Sequence, residues 1–409
     1  MNELAPRLVS ATGFVAMIAI AWAFSRDRRR FPWRPVLWGG GIQLALGFAL
    51  LRTPVGTVFF AFTNGVVDLF LRYVDAGVRF VFGSLVDTGF SIAVNVLPII
   101  VFMGSLFAVL YHFGVLQRVV EVMARVLSRT MGLSGAESLS AVADIFVGMT
   151  EAALVVKPYL ERMTRSELFA VMTVGMATVA GSVMLAYVGM LGPGFAGHLA
   201  TASLLSAPAG LLLAKVIVPE TGTPETAGVG RMAVEVESVN AIDAAAQGAI
   251  AGLRLAGYVG ALLVAFVALV AMLNDGLGFL GGIVGLPELT MQRVLGWLLA
   301  PLAFLMGVPW HDAAQVGALL GVKTVLNEFL AYQELGRLIH AGALAERSSV
   351  IASYALCGFA NFGSLAILLG GVGGIAPGRR PEIARMGLLA ILAGSLATFM
   401  TACVAGIFL

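Results

Sequence analysis

Charge is scarce in this chain. Only 12% of its 409 residues are Asp, Glu, Lys or Arg, about half the share of an ordinary soluble domain. With 59% hydrophobic residues and a mean hydropathy of +0.95, it lacks the polar surface to cover itself in water. That excludes a soluble globular protein and makes the bilayer its solvent. Cysteine is nearly absent. Cys357 and Cys403 both stand in apolar runs without metal-ligand spacing, so packing is expected of them. The four histidines are scattered and form no ligand cluster. No Walker or dinucleotide glycine loop occurs, so nothing points to an ATP-driven pump. The net charge of +2 says little about partners, and nucleic acid is not expected among them. Glycine, by contrast, is abundant at 50 residues, as where membrane helices pack closely or break.

Residues 8–25 are apolar, and the cluster "RDRRR" follows at 26–30 without a convincing cleavage site. An uncleaved helix is expected, with Arg26, Arg28, Arg29 and Arg30 cytoplasmic and the N-terminus outside. Further spans are expected near 34–51, 91–112, 166–190, 195–217, 249–273, 348–371 and 386–408. Residues 55–85 carry Asp68, Arg72, Asp75 and Arg79 at near-helical spacing, the pattern of a helix at the outer interface. Residues 115–132, with Arg118, Arg125 and Arg129, predict an amphipathic helix at the cytoplasmic surface. A polar linker over 219–247 divides the chain. Residues 289–308 are apolar and helical but interrupted by Pro301, and the basic turn "GRRPEIAR" precedes the last span.

The sequence repeats itself. "LQRVVEVMARVLSRTMGLSGAE" (116–137) aligns without a gap on "MQRVLGWLLAPLAFLMGVPWHD" (291–312), pairing Glu137 with Asp312. A two-residue insertion then sets Glu151 opposite Glu328, and "MATVAGSV" (176–183) resembles "GFANFGSL" (358–365). If 116–131 and 291–306 both lie on surfaces, three spans separate the units and the second is inverted. Inverted repeats mark secondary transporters whose site lies between the repeats near the midplane.

The stretch 134–160, "SGAESLSAVADIFVGMTEAALVVKPYL", breaks at Gly148–Glu151, and each arm is too short to span. A re-entrant hairpin fits, with its tip against protein or a water-filled cavity. Asp312 to Glu334 offers the same design, with a tip near "GVKTVLNE". The spans that follow look broken too, at Thr178, Gly181 and Ser182, and at Gly358, Asn361, Gly363 and Ser364. Unwinding there would free carbonyl oxygens for a cation and aim half-helix N-termini at a polar ligand. Glu137 and Asp312 are read as caps at the hairpin starts. Plainer alternatives stand beside these: a Glu151–Lys157 ion pair, Asn361 and Ser364 as glue between helices, Phe359 as core, Asp144 in a solvated loop. Ionisable groups at membrane depth are nonetheless costly and usually functional.

The motifs "GxTEAxLxxKPYL", "AGSV", "IDAAAQGAIAGLRLA", "APLAFLMGVPW", "LGVKTVLNEFLAY" and "GFANFGS" resemble the concentrative nucleoside transporters, in the family's order over residues 90–409. The resemblance implies an all-α polytopic membrane protein with eight transmembrane helices, two re-entrant hairpins, interfacial helices and an inverted internal repeat. It implies a homotrimer in the cell membrane (the inner membrane in a Gram-negative source), transporting rather than catalysing, with no organic cofactor. Scaffold segments would be 1–113 and 249–288, with the polar linker 219–248 leading into the second. Transport-domain repeats 114–218 and 289–409 would move as an elevator. The nucleobase would meet Met149, Thr150, Glu151, Val183 and Phe359. The ribose would meet Glu328, Asn361 and Ser364, a carboxylate, an amide and a hydroxyl suited to sugar hydroxyls. Sodium would take the side chains of Asp144 and Thr178 and the backbone oxygens of Val147 and Val179.

Two positions depart from the family's pattern. Met149 stands where Gln is usual, replacing a donor and acceptor with a soft apolar surface. Weaker uracil-type recognition and a broader or shifted base preference are expected. Asp144 stands where sodium-coupled members have Asn. It would strengthen sodium binding or carry a proton itself, with sodium symport favoured. Rival classes are a channel, an intramembrane hydrolase using Asp144 with Glu151, and a transporter of another polar metabolite on the same scaffold.

Overall fold

The computed structural model describes residues 4–89, 91–227, 238–283, 285–286 and 288–409; part of the expected linker, 228–237, lies outside them. Three helices open the chain: α1 (Leu4–Ala23), α2 (Trp33–Arg52) and α3 (Pro54–Phe82). In α3 the four charges recur on one side while Val67, Val74 and Val78 are buried on another, as an interfacial helix requires. Length and composition alone would also admit Pro54–Thr88 as a span. A π-helical lead-in then feeds α4 (Leu97–His112), and Gly114 and Gly132, both left-handed, bracket the amphipathic α5 (Val115–Met131).

The first hairpin follows as α6 (Gly135–Val147) and α7 (Met149–Val155), with the short α8 (Lys157–Leu160) after it. The next span is broken into α9 (Arg165–Ala177) and α10 (Gly181–Leu191), and α11 (Ala196–Ile217) completes the unit. Helix α12 (Ala241–Ile283) runs 43 residues, far past the expected 249–273. Its flanks "AIDAAAQG" and "NDGLGFLGG" contain no proline to stop it. At about 65 Å long, it reaches well beyond a hydrocarbon core of about 30 Å. The second unit repeats the plan: α13 (Met291–Leu305), the hairpin α14 (Trp310–Val325) and α15 (Glu328–His340), the broken span α16 (Glu346–Leu356) and α17 (Phe362–Ile375), then α18 (Arg380–Phe408). A 116° bend separates α13 from α14, so the run from 291 does not continue as one straight span. The three spans α9–α10, α11 and α12 therefore lie between the units, which inverts the second.

The core sits around α9, α10, α11 and α18. Of the apolar windows of α9–α10, α11 and α18, 89%, 89% and 83% are buried, against 17% for α12 and 22% for α1. The centre is thus protein-wrapped, and the periphery presents its apolar surface outward. Helix α12 packs along α4 where Gly104, Gly248 and Gly252 meet. A Cβ on Gly252 would fall 2.7 Å from the Ile100 carbonyl oxygen, and one on Gly104 2.6 Å from that of Gly248. Only glycine permits this approach of backbones.

An ion pair fastens the first hairpin to this core. Lys215 Nζ near the end of α11 lies 2.7 Å from Glu137 Oε2, with both side chains under 5% exposed. Lys215 also donates to Ser166 Oγ at 3.0 Å. Glu137 closes a capping box with Ser134, as its expected capping role requires. Lys215→Met would strand a buried carboxylate, and thermal unfolding in detergent is expected to show a loss of about 3–5 kcal/mol. Pairing it with Glu137→Gln should recover much of that loss; an unchanged melting temperature for Lys215→Met would contradict this account.

Candidate functional site

The first hairpin turns at a single residue. Gly148 has φ 101° and ψ 166°, a backbone conformation that a side chain would strain. A Cβ there would lie 3.3 Å from both the Ala180 Cβ and Glu151 Oε2. The hairpin tip therefore rests on the break between α9 and α10, and its bare backbone meets protein instead of lipid. Met149 is buried against α9, where a Cβ on Gly175 would fall 2.9 Å from its own Cβ. Thr150 packs on α17 at Gly371, where a Cβ would lie 2.8 Å from Thr150 Oγ1. Glu151 stands in the first turn of α7, where the helix dipole favours a carboxylate. It forms no ion pair with Lys157, which is exposed.

Asp144 is buried within α6 rather than in a solvated loop. Its Oδ2 accepts a 2.5 Å hydrogen bond from Thr178 Oγ1, which also lies 2.9 Å from the Val174 carbonyl oxygen. One hydroxyl proton cannot serve both acceptors at once. Asp144 Oδ1 is buried without any partner. Thr178 ends α9 in an extended conformation, and Val179 lies fully buried in the unwound link that follows. Val147 is the last residue of α6. The four expected sodium ligands thus lie on the hairpin arm and the broken span that it touches, and the donor set is all oxygen, as a hard cation requires.

At the second hairpin, Asn327 caps α15 by accepting from the Leu330 N–H at 2.9 Å. Glu328, the first residue of α15, is buried, and both of its oxygens are held. Tyr187 OH donates to Oε1 at 2.8 Å and Asn361 Nδ2 to Oε2 at 2.8 Å. Asn361 in turn caps α17, its Oδ1 accepting from the Ser364 N–H at 2.7 Å. One amide therefore ties the hairpin tip to the half-helix beside it. Ser364 and Val183 are buried in the first turns of α17 and α10. Phe359 is half-buried in the unwound link 357–361, so it is neither plain core nor fully open. The two breaks touch: a Cβ on Gly358 would fall 2.8 Å from the Ala177 carbonyl oxygen.

Tyr187 escaped the sequence reading. It stacks on Tyr332 with ring centroids 4.3 Å apart, and Tyr332 OH donates to the Ser353 carbonyl oxygen at 2.7 Å. The available signal was a tyrosine deep in a span, whose hydroxyl requires a partner. Asp312 also differs from expectation. It makes no cap for its own helix; its Oδ2 accepts from Ala345 N–H at 3.1 Å and Ser348 Oγ at 2.5 Å. It thereby secures the start of α16 to the second hairpin.

Family profiles cover nearly the whole chain: Na+ dependent nucleoside transporter N-terminus over 12–85, nucleoside recognition "Gate" over 93–194, and Na+ dependent nucleoside transporter C-terminus over 198–406. The chain belongs to the concentrative nucleoside transporter family. It is 46% identical to the uncharacterized transporter YutK of Bacillus subtilis over 97% of this chain and 98% of that one. It is 42% identical to the nucleoside permease NupC of Helicobacter pylori over 98% of each. With solute carrier family 28 member 3 of Homo sapiens the identity is 41% over 98% of this chain, which spans 60% of that relative's length. Among solved structures, CNTnw in an inward-facing substrate-bound state matches with TM-score 0.92 at 46% identity, covering 98% of this chain and 97% of that one. A variant of CNTnw in an outward-facing state matches with TM-score 0.94 at 45% identity, covering 99% of each. The relatives are transporters, so this chain is a transporter and not an enzyme. Tyr187→Phe would leave a buried carboxylate oxygen short of its donor. Thermal unfolding should show about 1–3 kcal/mol lost; no loss would mean that Tyr187 does not hold Glu328.

Proposed function

We propose that the protein carries nucleosides into the cell by cation-coupled symport, with a transport domain that moves as an elevator against a trimeric scaffold. The observation that carries the nucleoside reading is Glu328, set by Tyr187 and Asn361 at the meeting of a hairpin tip and a half-helix. A fixed carboxylate with spare lone pairs, beside an amide and Ser364, matches the hydroxyls of a ribose. A site so built discriminates strongly against analogues lacking those hydroxyls, because its own buried groups are left unpaired. Val183 and Phe359 would face the base, and Met149, Thr150 and Glu151 would read it. The outward-facing apolar surface of α12 supports a scaffold that meets lipid and other copies. The inward-facing and outward-facing states of CNTnw support alternating access.

Sodium is the coupling ion we favour. Asp144 Oδ1, buried without a donor, supports a cation seated between it, Thr178 and the carbonyls of Val147 and Val179. A seated cation would fasten the first hairpin where it already rests on the α9–α10 break and so fix the base side of the site. The same oxygen supports a second reading, in which Asp144 carries a proton instead.

Purified protein in proteoliposomes separates these readings. An inward sodium gradient should drive nucleoside accumulation, and Asp144→Asn should keep that response with weaker sodium dependence. Accumulation driven by a pH gradient and abolished in Asp144→Asn would establish the proton reading; indifference to both gradients would reject symport. Competition uptake tests the base side. Adenosine, guanosine and cytidine should compete alongside uridine, and Met149→Gln should raise uridine's advantage. A strict uridine preference in the unaltered protein would refute the assigned role of Met149. Thermal stabilisation across nucleosides, bases and sugars should respond to nucleosides above the others; a response to another metabolite alone would replace the substrate class.

A further inference from the structure

The two repeats place opposite charges at the same distance before the second arm of each hairpin. Asp144 stands five residues before Met149, where the second arm of the first hairpin begins, and Lys323 stands five residues before Glu328, where the second arm of the second hairpin begins. Both lie on first arms and both are buried. Both reach across to the broken end of the next helix in their own repeat. Asp144 meets Thr178, the residue that ends α9. Lys323 Nζ donates at 2.8 Å to the carbonyl oxygen of Ala355, one residue before the end of α16. The alignment of 176–183 with 358–365 pairs these two breaks.

Each broken helix ends in carbonyls without helical donors, the negative end of its dipole. In the second repeat that end receives an ammonium. Lys323 is fully buried, donates also to Thr398 Oγ1 at 2.8 Å, and lies 5.6 Å from the Phe399 ring centroid. It forms no direct salt bridge among the described residues; carbonyl, hydroxyl and ring face compensate its charge, with the Glu328 carboxylate acting from farther off. In the first repeat the equivalent end faces a carboxylate with one unpartnered oxygen. No basic side chain among the described residues pairs with Asp144, so a cation there comes from outside the chain.

We infer that the Lys323 ammonium is a tethered cation, occupying in the second repeat the place that the coupling cation takes in the first. One mobile cation, not two, then suffices to hold both hairpins on their broken helices. The Glu328 side is organised permanently, and the Glu151 side only when the cation is seated. This rests on the cation-coupled reading of Asp144.

The test uses full-length protein in proteoliposomes under sodium gradients, with charge movement and thermal stabilisation recorded. Lys323→Met fills the space without charge. Its uptake should fall about tenfold or more, as for a buried polar cluster deprived of its charge. It should lose stabilisation by nucleoside but keep stabilisation by sodium. Lys323→Asn offers an oxygen where the ammonium was, so a second sodium ion can enter. Its uptake should show a sigmoidal sodium dependence, with one more charge moved per nucleoside than in the unaltered protein. An unchanged sodium dependence in Lys323→Asn, or full uptake in Lys323→Met, would overturn the inference. So would loss of sodium and nucleoside stabilisation together in Lys323→Met, the mark of a purely structural lysine; this outcome decides even if Lys323→Asn does not fold. Unaltered protein whose uptake ignores every cation gradient would instead remove the coupling reading beneath it.

Discussion

Peptide groups cannot be left bare in hydrocarbon, where no water replaces a missing partner. Among the described residues, four interruptions break the apolar hairpins and spans: the turns at Gly148 and at Leu326–Asn327, and the unwound links at 178–180 and 357–361. Each must lie against protein, so they lie against one another. Gly148 rests on Ala180, Gly358 on Ala177, and Asn361 bonds Glu328. The polar site results from this mutual shelter. Helix ends are exposed to one another there, and the side chains at those ends are the ones able to hold a polar guest.

The inverted repeat gives the shelter its symmetry, and the side chains break it. On the second hairpin a carboxylate is already fixed by Tyr187 and Asn361, with lone pairs to spare, and a lysine already meets a helix end. On the first, Asp144 keeps an oxygen unpaired and Thr178 has one proton for two acceptors. A frame that is complete on one side and incomplete on the other has a natural place for control. Ligand binding can depend on an ion only where the protein has left charge uncompensated. Away from the site, the buried Glu137–Lys215 pair and the Asp312–Ser348 bond hold each hairpin's outer end, leaving the inner ends as the adjustable parts.

Much of this was legible from local chemistry. Glycine beside polar residues inside an apolar run marked the first turn, which falls at Gly148 itself, and "GVKTVLNE" held the second, which falls at Leu326–Asn327. Thr178, Gly181, Asn361 and Ser364 marked the broken spans, since such residues weaken helices in any context. Sequence periodicity failed where the deciding partner is remote. Tyr187 and Glu328 are 141 residues apart, and Lys323 and Thr398 are 75 apart; no local pattern pairs them. Asp312 was mistaken for a cap of its own helix because the helix start that it serves lies 33 residues on. Helix α12 outruns the apolar stretch 249–273 because its flanks hold no proline to stop it, and Asp243 and Asp275 sit within the helix. Its extension beyond the bilayer is invisible to hydropathy.

The central claim is that the four interruptions enclose a single nucleoside site. A density map of the protein determined with uridine or adenosine and sodium tests it most directly. The account predicts the ribose within hydrogen-bond reach of Glu328 and Asn361, and the base beside the Gly148–Glu151 turn. A nucleoside seated elsewhere, or Glu151 and Glu328 opening to opposite sides of the membrane with the ligand between neither, would contradict it.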